Sequence, residues 1–296
     1  MIQSHSTALL KQIDSFPALP ATVNKVMAVT GNPESSAHDL MKAILPDQSM
    51  CTAILKIANS AFFGLPGQVS TIEKAIIVLG FEEVRNVVIG KAVFASFQKL
   101  NKSNRHNIQM FWEHSFTCGL AAKILATHLG YSQSELFIAG LIHDIGKLAM
   151  LMTFPHDYSP LLELSEPHQF QSIIKENEIF SISHDEIGMR LLKRWHFPEA
   201  LTMAIGYHHR PQLAPTHMIF PLIVQMADIL SLIYCSPEKL SGDDVQAIFR
   251  DFLPENMQMW KDNNLPCDLE KTGLWYEQLT ESRKRDGAVL DIFTSA

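Results

Sequence analysis

Helix-start signals recur along this chain at short intervals, and no apolar/polar alternation of the kind a strand needs establishes itself between them. A side-chain oxygen followed three residues later by an acid satisfies two of the orphan amides that open a helix. Ser70-Thr71-Ile72-Glu73 has that form with Ser70 as the cap, and predicts a helix over Ile72–Leu79 stopped by Gly80. Ser132-x-x-Glu135 predicts a helix running to about Met152, Ser183-x-x-Glu186 one ending near Trp195, and Ser241-x-x-Asp244 another. Asp47 is placed to cap Gln48–Asn59, and Pro198 to open a helix in its first turn, where a missing amide costs nothing. The segments so bounded are about 9 to 20 residues long, and no internal repeat stands out. The fold class this implies is all-α, a bundle of packed helices.

Punctuation divides the bundle into two lobes. Up to about Leu100 short helices alternate with Pro20, Gly31-Asn32-Pro33, Pro46 and Gly64-Leu65-Pro66-Gly67. The polar interval Asn101-Lys102-Ser103-Asn104-Arg105 then precedes a long helix starting near His106. The expected organisation is an N-terminal helical lobe over residues 1–105, a second lobe over 106–235 and a helical extension over 236–296. Eleven of the 13 histidines lie from His106 onward, an asymmetry that points the search for chemistry to the second lobe.

Composition removes several classes of function. The net charge is −7, and the one compact basic run, Arg283-Lys284-Arg285, sits among acids, so a nucleic-acid partner is not expected. Cys51, Cys118, Cys235 and Cys267 form no Cys-x-x-Cys pair, and three of them lie in apolar helical patterns as small buried hydrophobes; this suits a reducing cytoplasm. Met1–Ser15 has no continuous apolar core of the signal-peptide kind. His217–Cys235 is strongly apolar, but Asp228 near its middle would be costly in lipid, so a buried helix and no membrane contact are expected. The 296 residues carry no receiver, kinase or DNA-binding segment, so regulation is expected from a separate signalling protein or a ligand.

Four His-Asp dipeptides occur, and their surroundings separate them. His38-Asp39 follows Ser35-Ser36 in the polar first turn of a helix, and His156-Asp157 follows Pro155 in a turn; both read as surface. His143-Asp144 lies inside the apolar run Ala139–Leu148, where an imidazole and a carboxylate are expensive to bury unless each finds a partner. A divalent cation satisfies both. Lys147 shares their helix face and is placed to contact a phosphate or a developing oxyanion; the plainer alternative is a buried His–Asp hydrogen bond with Lys147 reaching solvent. His114, in Trp112-Glu113-His114-Ser115, alone reads as half-buried; His184 as a first-turn polar residue, with Gly188 beyond it where another backbone can approach; and His208-His209 as a helix C-terminus. Asp228, within Leu222–Leu230, resists a bland explanation, because an unpaired carboxylate there would be costly.

The order His114, His143-Asp144, His184, His208-His209, Asp228 resembles the HD superfamily of metal-dependent phosphohydrolases, and the first lobe narrows the resemblance to the HDOD branch of bacterial signalling proteins. Phe16-Pro17-Ala18-Leu19-Pro20 resembles that branch's opening motif. Ile44–Gln48 through Lys56-Ile57-Ala58-Asn59-Ser60-Ala61-Phe62-Phe63-Gly64, continued by Ser70–Gly80, resembles its central signature. Phe111–Ser115 and Trp195-His196-Phe197-Pro198 also fit, and the likeness covers roughly Leu10 to Leu230.

The resemblance implies that His114, His143, Asp144 and Asp228 hold one divalent cation. Asp144 then bridges to a second, bound by His184 and one or both of His208 and His209. Iron, manganese, zinc and nickel all suit such ligands. The activity implied is hydrolysis of a phosphoester or nucleotide, with Asp144 and Lys147 as the catalytic pair. Many members of the branch have lost ligands and act as non-catalytic interaction modules, so the alternative is a signalling module with a structural or vestigial metal site. This chain keeps a residue at every position matched. It lacks the Gly-Tyr-Pro segment of the neighbouring HD-GYP group, since Arg210-Pro211 follows His208-His209, which speaks against a cyclic dinucleotide substrate.

Overall fold

The computed structural model describes residues 18–60, 68–97, 105–163, 170–236, 240–252, 254–265 and 269–294, with residues 11, 13 and 16 besides. The Gly64-Leu65-Pro66-Gly67 loop, most of the polar interval at 101–105 and Cys267 lie outside the described residues. The described residues contain helices and no strand. They divide into two compact units, one made of Met1–Phe16 and Ser103–Glu281, the other of Pro17–Lys102 and Ser282–Ala296.

The smaller unit contains α1 (Ala21–Thr30), α2 (Ala37–Ile44), α3 (Gln48–Ala58), α4 (Ile72–Leu79) and α5 (Phe81–Ser96), and is joined by α17 (Ala288–Thr294) from the end of the chain. Helix α5 is its axis: α1, α3, α4 and α17 all pack on it, so it is buried on most sides from Val84 to Phe94. Val23, Leu40, Ile44, Ile54, Ile57, Val88 and Val93 form the core, and Phe293 of α17 stacks on Phe94 with ring centroids 5.6 Å apart.

The larger unit contains α6 (Arg105–Leu129), α7 (Gln133–Ile142), α8 (Ile145–Thr153), α9 (Pro155–Glu163), α10 (Phe170–Phe180), α11 (His184–Arg194), α12 (Glu199–Tyr207), a single 3-10 turn at Pro211–Leu213, α13 (Ile219–Cys235), α14 (Gly242–Phe252), α15 (Pro254–Asp262) and the greater part of α16 (Leu269–Asp286). Helix α6 runs against both α7 and α13, and α11 packs on α8 and α12. The span Gln133–Thr153 is long and apolar enough to cross a membrane by length and composition, but it comprises two helices and 89% of its apolar window is buried within the protein. Ile219–Cys235 is shorter and likewise buried along most of its length.

Several local expectations change. Thr71, not Ser70, caps α4, its hydroxyl accepting from the Lys74 amide. Ser183 holds the N-cap position of α11 without capping it, because its hydroxyl donates to Asp185 instead. Cys118 is buried, but Cys51 is only partly so and Cys235 is exposed.

Candidate metal centre

The helix expected to run from Ser132 to about Met152 is broken: α7 ends at Ile142, α8 begins at Ile145, and His143-Asp144 form the turn between them. The break places an imidazole at the C-terminal end of one helix and a carboxylate at the N-terminal end of the next, where the helix dipoles favour a cation and an anion respectively. Two glycine contacts then bring other helices close. A Cβ on Gly146 would lie 1.9 Å from the His184 carbonyl oxygen and 2.8 Å from the Gly188 amide, so α8 and α11 meet backbone to backbone beside Asp144. A Cβ on Gly140 would lie 2.8 Å from the Cys118 carbonyl oxygen; that contact seats α7 on α6 and sets the His114 and His143 rings 5.2 Å apart, centroid to centroid.

Asp144 is the centre of the cluster. Its Oδ2 lies 3.3 Å from His143 Nε2 and 3.8 Å from His114 Nε2, while its Oδ1 lies 3.1 Å from His184 Nε2 and 3.7 Å from His208 Nε2. Each oxygen therefore faces its own group of imidazoles. Asp228 Oδ1 completes the first group at 3.1 Å from His114 Nε2 and 3.4 Å from His143 Nε2. His209 completes the second, its Nε2 3.0 Å from that of His184. Two sets of ligand atoms result, His114–His143–Asp228 and Asp144–His184–His208–His209, and within each set the atoms lie within 4.8 Å of one another.

The far side of each ring fixes what it offers. His143 Nδ1 donates to the Gly140 carbonyl at 2.8 Å and His208 Nδ1 to the Ile205 carbonyl at 2.7 Å. Ser231 donates its hydroxyl to the His114 carbonyl, so its oxygen accepts from His114 Nδ1 at 3.0 Å. Glu176 accepts from both the ring Nδ1 and the backbone amide of His184, at 2.7 and 2.8 Å, and is itself held by the Tyr158 hydroxyl at 2.6 Å. With each Nδ1 occupied, four Nε2 atoms point inward. Metal-binding histidines are oriented by partners of this kind. Nothing in the sequence marked Glu176, Tyr158 or Ser231 for this role.

Several inward atoms have no hydrogen bond of acceptable geometry: His114 Nε2, His143 Nε2, His208 Nε2, Asp144 Oδ1 and Asp228 Oδ1, all buried. Orphaned donors and acceptors are rare in native interiors, and five at one point fit cations that all of them would ligate. The electrostatics agree. Burial opposes charge on His143, but the Asp144 carboxylate outweighs it and raises the imidazole well above its ordinary range. Burial likewise works against His184, and Glu176 carries it up to about 9. Burial disfavours ionised Asp144 and Asp228, yet the imidazoles around them (with Lys147 beside Asp144) hold both well below the usual carboxylate range. Burial pushes His208 down, and His209 further, so these two rings remain neutral donors of a lone pair. Lys147 is buried rather than solvated, and its ammonium bonds Asp144 Oδ2 at 2.6 Å. His184 is likewise fully buried, unlike an ordinary first-turn residue, whereas His38-Asp39 and His156-Asp157 are exposed.

The family model of the HDOD domain matches residues 16–211. A crystal structure of an HDOD domain protein from Geobacter sulfurreducens superposes with a TM-score of 0.73 at 22% identity, over 100% of both chains. An uncharacterized protein of Treponema pallidum is 25% identical over 220 residues, 72% of this chain and 42% of its own length. A ribonuclease Y of Thermus thermophilus is 32% identical over 119 residues, 40% of this chain and 16% of the ribonuclease. The chain thus spans less than half the length of either relative.

Proposed function

Because the chain belongs to the HDOD family, we propose that its larger unit is a two-cation centre that hydrolyses a phosphoester or nucleotide within a cytoplasmic signalling protein. The observation that carries this is the division of Asp144, one carboxylate oxygen facing His114 and His143, the other facing His184 and His208. His114, His143 and Asp228 would hold one divalent cation and His184, His208 and His209 the other, with Asp144 shared. Bound divalent ions supply the positive charge that draws a phosphate and the acidity that brings water to a pKa near 7. Iron, manganese, zinc and nickel fit this donor set equally.

The chain's own groups prepare that chemistry. Gly140, Ile205, Ser231 and Glu176 lock the four rings with Nε2 inward. Lys147 offsets the charge of Asp144 and supplies a fixed cation for a developing phosphate oxyanion. The name of the Thermus relative refers to cleavage of RNA, a phosphodiester, which supports the phosphoester class. A net charge of −7 disfavours long nucleic acid and so a small substrate is preferred.

A second reading, a signalling module whose metals are structural, is favoured by burial: His143, His184 and His208 are 0% exposed and Lys147 only 6%. Elemental analysis of the purified protein, with phosphoesterase assays on nucleotides and phosphomonoesters, separates the two. The first reading requires metal, activity, and loss of activity in Asp144→Ala. Metal with no activity, and only lower stability in Asp144→Ala, establishes the second; folded protein that takes up no metal refutes both.

A further inference from the structure

An ion pair runs alongside the second imidazole group. His184 and His209 face each other with their Nε2 atoms 3.0 Å apart. The next residue of each segment repeats the pairing: Arg210 Nη2 lies 3.0 Å from Asp185 Oδ2. The two pairs are successive rungs between the start of α11 and the end of α12. Arg210 is fixed in the backbone as well, its amide donating to the Tyr207 carbonyl and its carbonyl accepting from the Leu213 amide. Solvent approaches the centre from this side, since His184 and His208 are fully buried while His209 is half-buried. Neighbouring Cα atoms are about 3.8 Å apart, so Arg210 stands at the rim of that opening.

The anchor of Arg210 is built at the expense of the helix that carries it. Asp185 is fully buried, where a carboxylate needs partners for its oxygens. Its Oδ1 accepts from the Ser183 hydroxyl and its Oδ2 from Arg210. Ser183 thereby spends the hydroxyl that would have capped α11. The result is a guanidinium held by one edge. Nη2 bonds Asp185 with Glu186 3.8 Å away, and Nε is buried without a hydrogen bond, yet 41% of the side chain is exposed. Two carboxylates beside one cation leave no net positive charge to draw a further phosphate. What remains for a ligand is the plane of the guanidinium, a stacking surface for aromatic rings and for nucleobases.

We infer that Arg210 carries the base of a nucleotide whose phosphate lies at the Asp144 centre, and that Asp185 is the residue that positions Arg210. The inference rests on the two-cation reading and narrows its substrate from phosphoesters in general to nucleotides.

The test uses the metal-loaded full chain with AMP and ribose 5-phosphate, probes that share a phosphate and a ribose and differ in the base. Affinities are read by isothermal titration calorimetry, and as KM where a probe is turned over. AMP binds about tenfold more tightly than ribose 5-phosphate, the order expected of one stacked base. Arg210→Lys keeps the charge beside Asp185 and removes the plane, so the preference for AMP falls to near unity while metal content by elemental analysis stays at the wild-type level. Asp185→Asn loosens the anchor and lowers the preference in the same direction. An ion pair that only fastened α11 to α12 would move both probes together and leave their ratio intact. Equal affinity of the wild-type protein for the two probes, or a ratio that survives Arg210→Lys, overturns the inference and leaves the two-cation centre standing. Folded protein that takes up no metal, or metal-loaded protein that binds neither probe, overturns both.

Discussion

Replacing Gly146 by alanine adds one methyl group and tests how the second imidazole group is held. The new Cβ would lie 1.9 Å from the His184 carbonyl oxygen. Real Cβ contacts do not fall below 3.0 Å, so α8 and α11 must part by about 1.1 Å at the least. The obstacle is backbone, which cannot rotate aside as a side chain would. Overpacking of a core costs about 1–3 kcal/mol, and a backbone clash belongs at the upper end of that range. In a domain of this size each kcal/mol lowers Tm by about 2–4 °C, giving a fall of roughly 4–12 °C. The same movement carries His184 away from Asp144 Oδ1, now 3.1 Å distant, and strains its bonds to Glu176. On the two-cation proposal, Gly146→Ala should therefore lose the cation that His184, His208 and His209 would hold and retain the one that His114, His143 and Asp228 would hold. Metal content by elemental analysis, alongside a thermal melt, checks both consequences. A variant with wild-type Tm and wild-type metal content would refute the claim that this glycine contact builds the site.

Glu176→Gln keeps the shape but removes the charge behind His184, and metal affinity should fall about 10- to 100-fold, measured by chelator competition, with little change in secondary structure by circular dichroism. Asp228→Asn removes the carboxylate between His114 and His143 and should lower metal content on that side while His184, His208 and His209 still bind. The pH dependence has a definite sign. His184 is raised to about 9 in the folded chain, so without metal its contribution to stability is full below the unfolded value near 6.5 and is lost as pH climbs through about 9. Cations must displace that proton, so the gap in Tm between metal-loaded and EDTA-treated protein should widen from pH 6.5 to 9. A gap that stays constant or narrows contradicts the ligand role of His184.

Helix boundaries were legible wherever the signal was local. Asp47 accepts from the Met50 amide and Ser132 from the Glu135 amide, as their spacing predicts. Ser241 and Asp244 bond reciprocally in the same way. Ser70 failed because Thr71 offers an equally good oxygen one residue later and lets Ile72 open the helix with its side chain buried. The break at His143-Asp144 left no trace, since Ala139–Leu148 keeps its apolar character straight through the turn. An uninterrupted helix satisfies that pattern as well as two helices do. Only contacts with α6, α11 and α13 decide between them.

The site divides along the same line. Asp144 and Asp228 stood out because a carboxylate in an apolar run must find a partner, and that cost can be read from neighbouring residues alone. Glu176 lies in Lys175-Glu176-Asn177-Glu178, a stretch that looks like a solvated helix face, yet it is 0% exposed because Tyr158 and His184 close over it. His184-Asp185 and His38-Asp39 are the same dipeptide in the same place, the first turn of a helix. One is buried and the other exposed, and the difference lies in neither dipeptide. It lies in Gly146 and Gly188, 42 residues apart in sequence, whose lack of side chains lets the start of α11 reach Asp144. A histidine becomes a candidate ligand here through the packing of two residues that can themselves ligate nothing. Widening that contact should therefore draw the His184 ring away from Asp144 Oδ1 while Glu176 still holds its far side.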